Sequence, residues 1–291
     1  KSYLIVFNVI YKNQNLKYYV IIYYYIIMKD KYILGILGGV GPMAGIGLHK
    51  NIILHTKVKK DQKHFRVIHL SFSADINDRS DFLLSQNTIK NPGIQMADLV
   101  IKLSNFCKTL KTSCIIGVPC NTFHTEPIFN KFTDTIYKSI KIKNRKYGYI
   151  HILHMIDLTV MYLKQKNIKN IGVMSTTGTR NLKLYKNKLK KEKINLIEVS
   201  QKNQEILHNL IYCEKTGIKT LSYATSKIRN KFLEFIKILK KNGAEAIILG
   251  CTEIPIAIPE KNIFNLEMID PVAIMSIEMI KLSNKNKLKI L

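Results

Sequence analysis

One pattern occurs twice in this chain, and the repetition limits its fold more than any other feature. Ile115-Ile116-Gly117-Val118-Pro119-Cys120-Asn121-Thr122 and Ile247-Ile248-Leu249-Gly250-Cys251-Thr252-Glu253 share one plan. In each, an apolar strand ends in a small or rigid residue, then comes Cys, then polar residues that include Thr. The two cysteines stand 131 positions apart. A second pair supports the first: Ile33-Leu34-Gly35-Ile36-Leu37-Gly38-Gly39 resembles Asn170-Ile171-Gly172-Val173-Met174-Ser175-Thr176, offset by 137. Two α/β halves of similar construction are the economical explanation. In open α/β sheets, ligands bind beyond the carboxyl ends of the strands. Halves that face each other would therefore bring Cys120 and Cys251 to one ligand from opposite sides.

The rest of the pattern agrees. From Tyr32, short apolar runs alternate with longer amphipathic stretches. Strands are predicted at 32–37, 66–70, 114–118, 170–174, 194–199 and 246–249, and helices at 42–55, 95–110, 232–241 and 273–282. Continuous apolar strands separated by helices indicate parallel sheets covered on both faces. The fold class is α/β, with two pseudo-symmetric subdomains that are each a mostly parallel sheet flanked by helices. The expected boundaries are 31–136 for the first, joined by 257–291, and 137–256 for the second.

Residues 1–30 stand apart as an extension. The apolar run Tyr18–Met28 has 11 residues, whereas a membrane-spanning helix needs about 20. It lacks a small-residue cleavage site and is followed at once by Lys29-Asp30-Lys31. Residues 1–27 read as a non-functional extension, with a weak membrane-surface anchor as the alternative. No membrane partner is expected.

Charge invites a different reading, which the composition answers. The chain carries 46 basic against 20 acidic residues, for a net charge of +26. Of the basic residues 41 are Lys and only 5 Arg, beside 46 Ile, the bias that A/T-rich codons produce. Lysine of that origin spreads over solvated faces. A nucleic-acid-binding protein would interleave aromatic and basic residues in a groove or on a sheet, but seven of the 15 Tyr residues cluster in the extension, so no nucleic-acid partner is expected. Five cysteines, an odd number with no C-x-x-C, fit neither a disulfide framework nor a zinc ribbon. A reducing cytoplasm is the expected setting, with Cys107 and Cys114 as small core residues. Gly39-x-Gly41-x-x-Ala44 after a strand superficially fits a dinucleotide fingerprint. The acidic residue about 20 positions on, however, is Asp61 in a Lys-rich loop, and Pro42 removes an N–H that a pyrophosphate would need.

Two thiols on opposite faces of a small substrate suit stereoinversion at a carbon acid. One, as thiolate, removes a proton; the other, as thiol, delivers one from the far side. Asn121, Thr122 and Thr252, with backbone N–H groups of the strand-to-helix turns, are placed to hold a carboxylate as charge develops. His124 and Glu253, close to the two cysteines in sequence, are candidates to tune protonation.

Three segments carry a resemblance to a known family. Gly38-Gly39-Val40-Gly41-Pro42-Met43-Ala44, Pro119-Cys120-Asn121-Thr122-Phe123-His124 and Gly250-Cys251-Thr252-Glu253-Ile254-Pro255 resemble the signature motifs of the aspartate/glutamate racemase superfamily, aspartate racemase branch. The likeness runs from about residue 32 to 283. It implies a cofactor-independent racemase with its active site in the cleft between the subdomains, acting on aspartate first and glutamate next. By this resemblance Cys120 and Cys251 are the acid and base, and Asn121, Thr122, Thr176 and Thr252 contact the amino-acid end of the substrate. Gly39 belongs to the supporting glycine-rich motif. Arg79, in Asn77-Asp78-Arg79-Ser80, and Lys215 bind the side-chain carboxylate, and Arg offers a planar fork for that task. Such families commonly form homodimers. Relatives that share the fold but change the reaction, namely hydantoin racemase, maleate isomerase and arylmalonate decarboxylase, lack the Arg79 and Lys215 pair or use one Cys differently.

Overall fold

The computed structural model describes residues 32–38, 41–84, 88–140 and 148–289. The extension 1–30 and Gly39 lie outside the described residues. The first half runs β1 (Tyr32–Gly38), α1 (Pro42–Leu54), β2 (Val67–Ser71), α2 (Arg79–Leu84), α3 (Pro92–Thr109), β3 (Ser113–Gly117), α4 (Glu126–Ser139) and β4 (Ile150–Ile152). After α5 (Met155–Gln165) come β5 (Asn170–Ser175), α6 (Thr177–Asn181), α7 (Leu184–Lys191), β6 (Asn195–Ile197), α8 (Gln201–Tyr212), α9 (Ile218–Leu221), α10 (Ser226–Lys241) and β7 (Ala246–Gly250). The chain closes with α11 (Ile254–Ala257), β8 (Asn262–Ile263), β9 (Leu266–Ile269) and α12 (Pro271–Asn284).

The strands form two sheets, in the orders β2-β1-β3-β4 and β6-β5-β7-β9-β8. Matching β1 with β5, β2 with β6, β3 with β7 and β4 with β9 makes the orders identical, apart from the short antiparallel β8 at one edge. The register matches too. Gly35 pairs with Ile116 in the first sheet and Gly172 with Ile247 in the second, so the offsets of 137 and 131 in the sequence are preserved in space. The fold is α/β with two pseudo-symmetric halves, as the repeat indicated.

Strand burial explains the continuous apolar runs. Every residue of β7 is buried, as is β1 from Ile33 onward. One face of the first sheet packs on α3 and α4 through Met96, Val100, Ile128 and Phe132. The corresponding face of the second packs on α8 and α10 through Leu207, Phe232 and Ile236. Leu34 and Ile115 from one sheet share a third cluster with Val173 and Ile248 from the other, and α12 supplies Met275 and Met279 to it. Close approach of α12 to β3 needs Gly117, where an added Cβ would lie 2.8 Å from Met275 Sδ. Cys107 and Cys114 are buried in the first-half core.

Sheet membership divides the chain later than the expected boundaries at both points. β4 pairs with β3, so the first sheet reaches Ile152 rather than ending near 136. β8 and β9 belong to the second sheet, and the chain returns with α12, which packs on α1 and α5, and with Leu288, which bridges Thr56. These strands have two to four residues, too few to show a period. Helix α3 starts at Pro92, ahead of the predicted 95, because Asn91 caps it by accepting from Gly93 N and Pro fits the first turn.

Candidate active site

Both repeated cysteines sit just beyond the carboxyl ends of the middle strands, Cys120 after β3 and Cys251 directly after β7. Each is 8% exposed. The turn carrying Cys120 is held at one carbonyl: Val118 O accepts from Cys120 N at 2.9 Å and from His124 Nε2 at 3.0 Å. A carbonyl only accepts, so His124 carries its proton on Nε2. Burial, reinforced by neighbouring His154, pushes the His124 pKa well down, which keeps the ring neutral. His124 thus bonds to backbone and steadies the turn.

Arg79 opens α2 beside this turn and is buried. Its guanidinium lies 3.5 Å from Asp78 and close enough to Cys120 for the two to interact electrostatically. The loop before it is tied down locally. Asp78 Oδ1 accepts from Ser80 N and Asp81 N, Asn77 N donates to Gln95 Oε1, and Asn77 Nδ2 donates to Lys90 O.

Hydroxyl contacts at the site join the halves. The Tyr185 hydroxyl donates to Asn121 Oδ1 at 2.5 Å. Thr122 Oγ1 lies 3.3 Å from Thr179 Oγ1, which accepts from Thr176 Oγ1 at 3.2 Å. Thr176 also caps α6 by accepting from Thr179 N.

Around Cys251 the polar partners are charged. Cys251 Sγ donates to Glu253 Oε2 at 2.9 Å, Thr252 Oγ1 donates to the same oxygen at 3.0 Å, and Lys219 Nζ reaches Oε1 at 2.6 Å. Burial pushes the Glu253 carboxyl up, but Lys219 and these donors more than offset it, so its pKa lies below the usual carboxylate range. Burial, then the adjacent Glu253 charge, pushes the Cys251 thiol well up. Tyr212 caps the arrangement: Lys219 Nζ sits 5.1 Å from its ring centre, and its phenol, raised first by burial, feels both Cys251 and Cys120. Gly41, at φ +114°, turns the first-half loop against this pair, and an added Cβ there would lie 3.3 Å from Glu253 Oε1.

Of the residues singled out in the sequence, Cys120, Asn121, Thr122, Thr176, Cys251, Thr252, Glu253 and Arg79 converge here. Lys215 does not; it is exposed in the turn before α9. The lysine at the cleft is Lys219, one short step further along in α9, where it pairs with Glu253. Tyr185, Thr179 and Tyr212 lie in segments covered by the family resemblance but carry no role from the sequence, and Lys219 carries no sequence signal. Tyr185 left one signal, an aromatic residue in a Lys-rich helix. Among the described residues no group of three or more His, Cys, Asp or Glu is arranged to hold a metal, and no helix is long and apolar enough to cross a membrane.

A fold of two facing α/β halves with a cysteine at each equivalent strand end defines a class, and comparison with known proteins gives it a name. The model of the Asp/Glu/hydantoin racemase family matches residues 37–276, and the chain belongs to that family. It is similar to Picrophilus torridus aspartate racemase, at 25% identity over 89% of this chain and 96% of that one, with a TM-score of 0.66. Glutamate racemase from Francisella tularensis in complex with D-glutamate shares the fold, at 20% identity, 90% and 85% coverage and a TM-score of 0.56. A curated relative is the uncharacterized protein in the pnlA 3' region of Pectobacterium carotovorum, 27% identical over 111 residues, which is 38% of this chain and 69% of that protein.

Proposed function

We propose that this protein is a cofactor-independent racemase of an acidic amino acid, aspartate in the first place and glutamate in the second. Cys120 and Cys251 serve as the acid and base. The observation that carries the reading is the matched position of two buried thiols at equivalent strand ends, each with a cation close by: buried Arg79 at Cys120, and half-buried Lys219 near Cys251 through Glu253.

One cysteine, as thiolate, takes the Cα proton, and the electron pair left behind delocalises into the α-carboxylate. The other, as thiol, returns a proton to the opposite face. Asn121 has its oxygen occupied by Tyr185, so its amide N–H groups are available for the substrate carboxylate, beside the hydroxyls of Thr122, Thr176 and Thr252. Arg79 and Lys219 supply the charge for a second carboxylate, which an acidic amino acid has and a hydantoin ring lacks. Lys219 takes the part that family resemblance gave to Lys215. Working thiols call for a reducing compartment, so we assign the protein to the cytoplasm.

The test is incubation with L-aspartate, then L-glutamate, in deuterated water without pyridoxal phosphate. Deuterium at Cα and appearance of the D-isomer are expected, with full racemisation lost in both Cys120→Ser and Cys251→Ser. Turnover that survives both substitutions overturns the mechanism.

A further inference from the structure

The two thiols sit beside ion pairs of opposite orientation, Arg79 with Asp78 near Cys120 and Glu253 with Lys219 near Cys251. Cys120 feels the charge of the buried guanidinium of Arg79, whereas Cys251 donates to the buried carboxylate of Glu253 at 2.9 Å. Glu253 is only 4% exposed and is fixed at both oxygens, Oε1 by Lys219 and Oε2 by Cys251 and Thr252. The remaining ionisable groups that act on Cys251 are the phenols Tyr185 and Tyr212. Tyr212 also reaches Cys120, so it does not distinguish the two thiols.

We propose that Glu253, balanced by Lys219, is a positioning residue that keeps the proton on Cys251 and leaves Cys120, beside Arg79, as the base of the resting enzyme. This rests on the two-cysteine reading above and adds its direction. In the first half of the cycle the Cα–H bond breaks as a bond from that proton to Cys120 Sγ forms. The electron pair stays on the substrate. The Cys251 S–H bond then breaks as a new Cα–H bond forms on the far face, leaving a Cys251 thiolate next to Glu253. The enzyme resets when Cys251 takes a proton from water and Cys120 releases one. The high pKa of Cys251, caused by burial and by Glu253, agrees with this order.

Alkylation reads the assignment directly, because the thiolate is the nucleophile. Both cysteines are 8% exposed, so access does not favour either. The full chain is treated with limiting iodoacetamide near neutral pH, and modification at each cysteine is followed by peptide mass spectrometry. Cys120 is expected to react about tenfold faster than Cys251, because the thiol held by the Glu253 carboxylate keeps its proton. In E253Q, Cys251 should speed up several-fold while Cys120 stays within about twofold. In K219M, which leaves the carboxylate unbalanced, Cys251 should slow further. Equal rates in the unaltered protein, or parallel changes at both cysteines in the variants, overturn the proposal. If the alkylation order holds but no racemisation occurs in deuterated water, the functional reading fails and the assignment of protons stands.

Discussion

The hydroxyl of Tyr185 and the side-chain oxygen of Asn121 meet at 2.5 Å, between a helix of the second half and the cysteine turn of the first. Tyr185 is 3% exposed and Asn121 4%, so neither group has water to replace the other. The bond orients the Asn121 amide with its N–H groups turned away from Tyr185. In Tyr185→Phe a buried acceptor is left unmade, at a cost of about 1–3 kcal/mol. We expect a lower melting temperature and about a tenfold loss in kcat/KM, as the amide loses its orientation. Unchanged kinetics in a folded Tyr185→Phe protein would separate Asn121 from the reaction.

The two lysines of the α8–α9 region give a sharper contrast. Lys215 is exposed, while Lys219 pairs with Glu253 at 2.6 Å. Lys215→Ala should stay within about twofold of the parent activity and about 0.5 kcal/mol of its stability. Lys219→Ala leaves a buried carboxylate without its cation and should cost about 3 kcal/mol or more, with activity lost. Denaturant titration and amino-acid turnover of the two variants side by side decide it. The opposite ranking would return the role to Lys215.

Gly41 is held at φ +114°, and a Cβ there would press on Glu253 Oε1 at 3.3 Å. Gly41→Ala therefore combines backbone strain with a displaced carboxylate. A destabilisation of about 1–2 kcal/mol is expected, with a larger effect on activity than on folding. Calorimetry that finds the variant as stable as the parent would show that the loop relaxes.

Asp270 caps α12 by accepting from Val272 N at 2.8 Å. Burial of its carboxyl, partly offset by the backbone bonds, raises its pKa to about 6 from an ordinary 3.8. A raised acid binds its proton more tightly in the folded state. Its contribution is thus favourable below pH 4 and is lost as pH rises through 6, by at most about 3 kcal/mol. Asp270→Asn keeps a capping oxygen and removes the titration. The stability difference between variant and parent, measured by urea unfolding at several pH values, should grow in the variant's favour from pH 4 to pH 7. A flat difference would place the carboxyl in solvent.

The parts of the site that were legible in the sequence are those carried by local pattern. Cys120 and Cys251 announce themselves because each ends an apolar strand within a few residues, and the repeat makes the pair visible together. Arg79 stood out as one of five arginines in a lysine-rich chain. Lys219 could not stand out, since it is one of 41 lysines, and what distinguishes it is its pairing with Glu253. β4 and β9 were hidden for a similar reason: strands of three and four residues carry no period of their own, and their pairing partners define them.

By itself the sequence determined the α/β class, the doubling of the fold and the positions of both thiols along it, because strand burial and strand-end turns depend on residues that are neighbours in the chain. Tertiary structure alone decided what surrounds each thiol. Arg79 and Cys120 are 41 positions apart, Lys219 and Glu253 34 apart, and Asn121 and Tyr185 64 apart. Charge acts over a few ångströms of space rather than along the chain, so the unlike settings of two like cysteines arise as each half folds, and the Tyr185–Asn121 bond forms only when the halves meet.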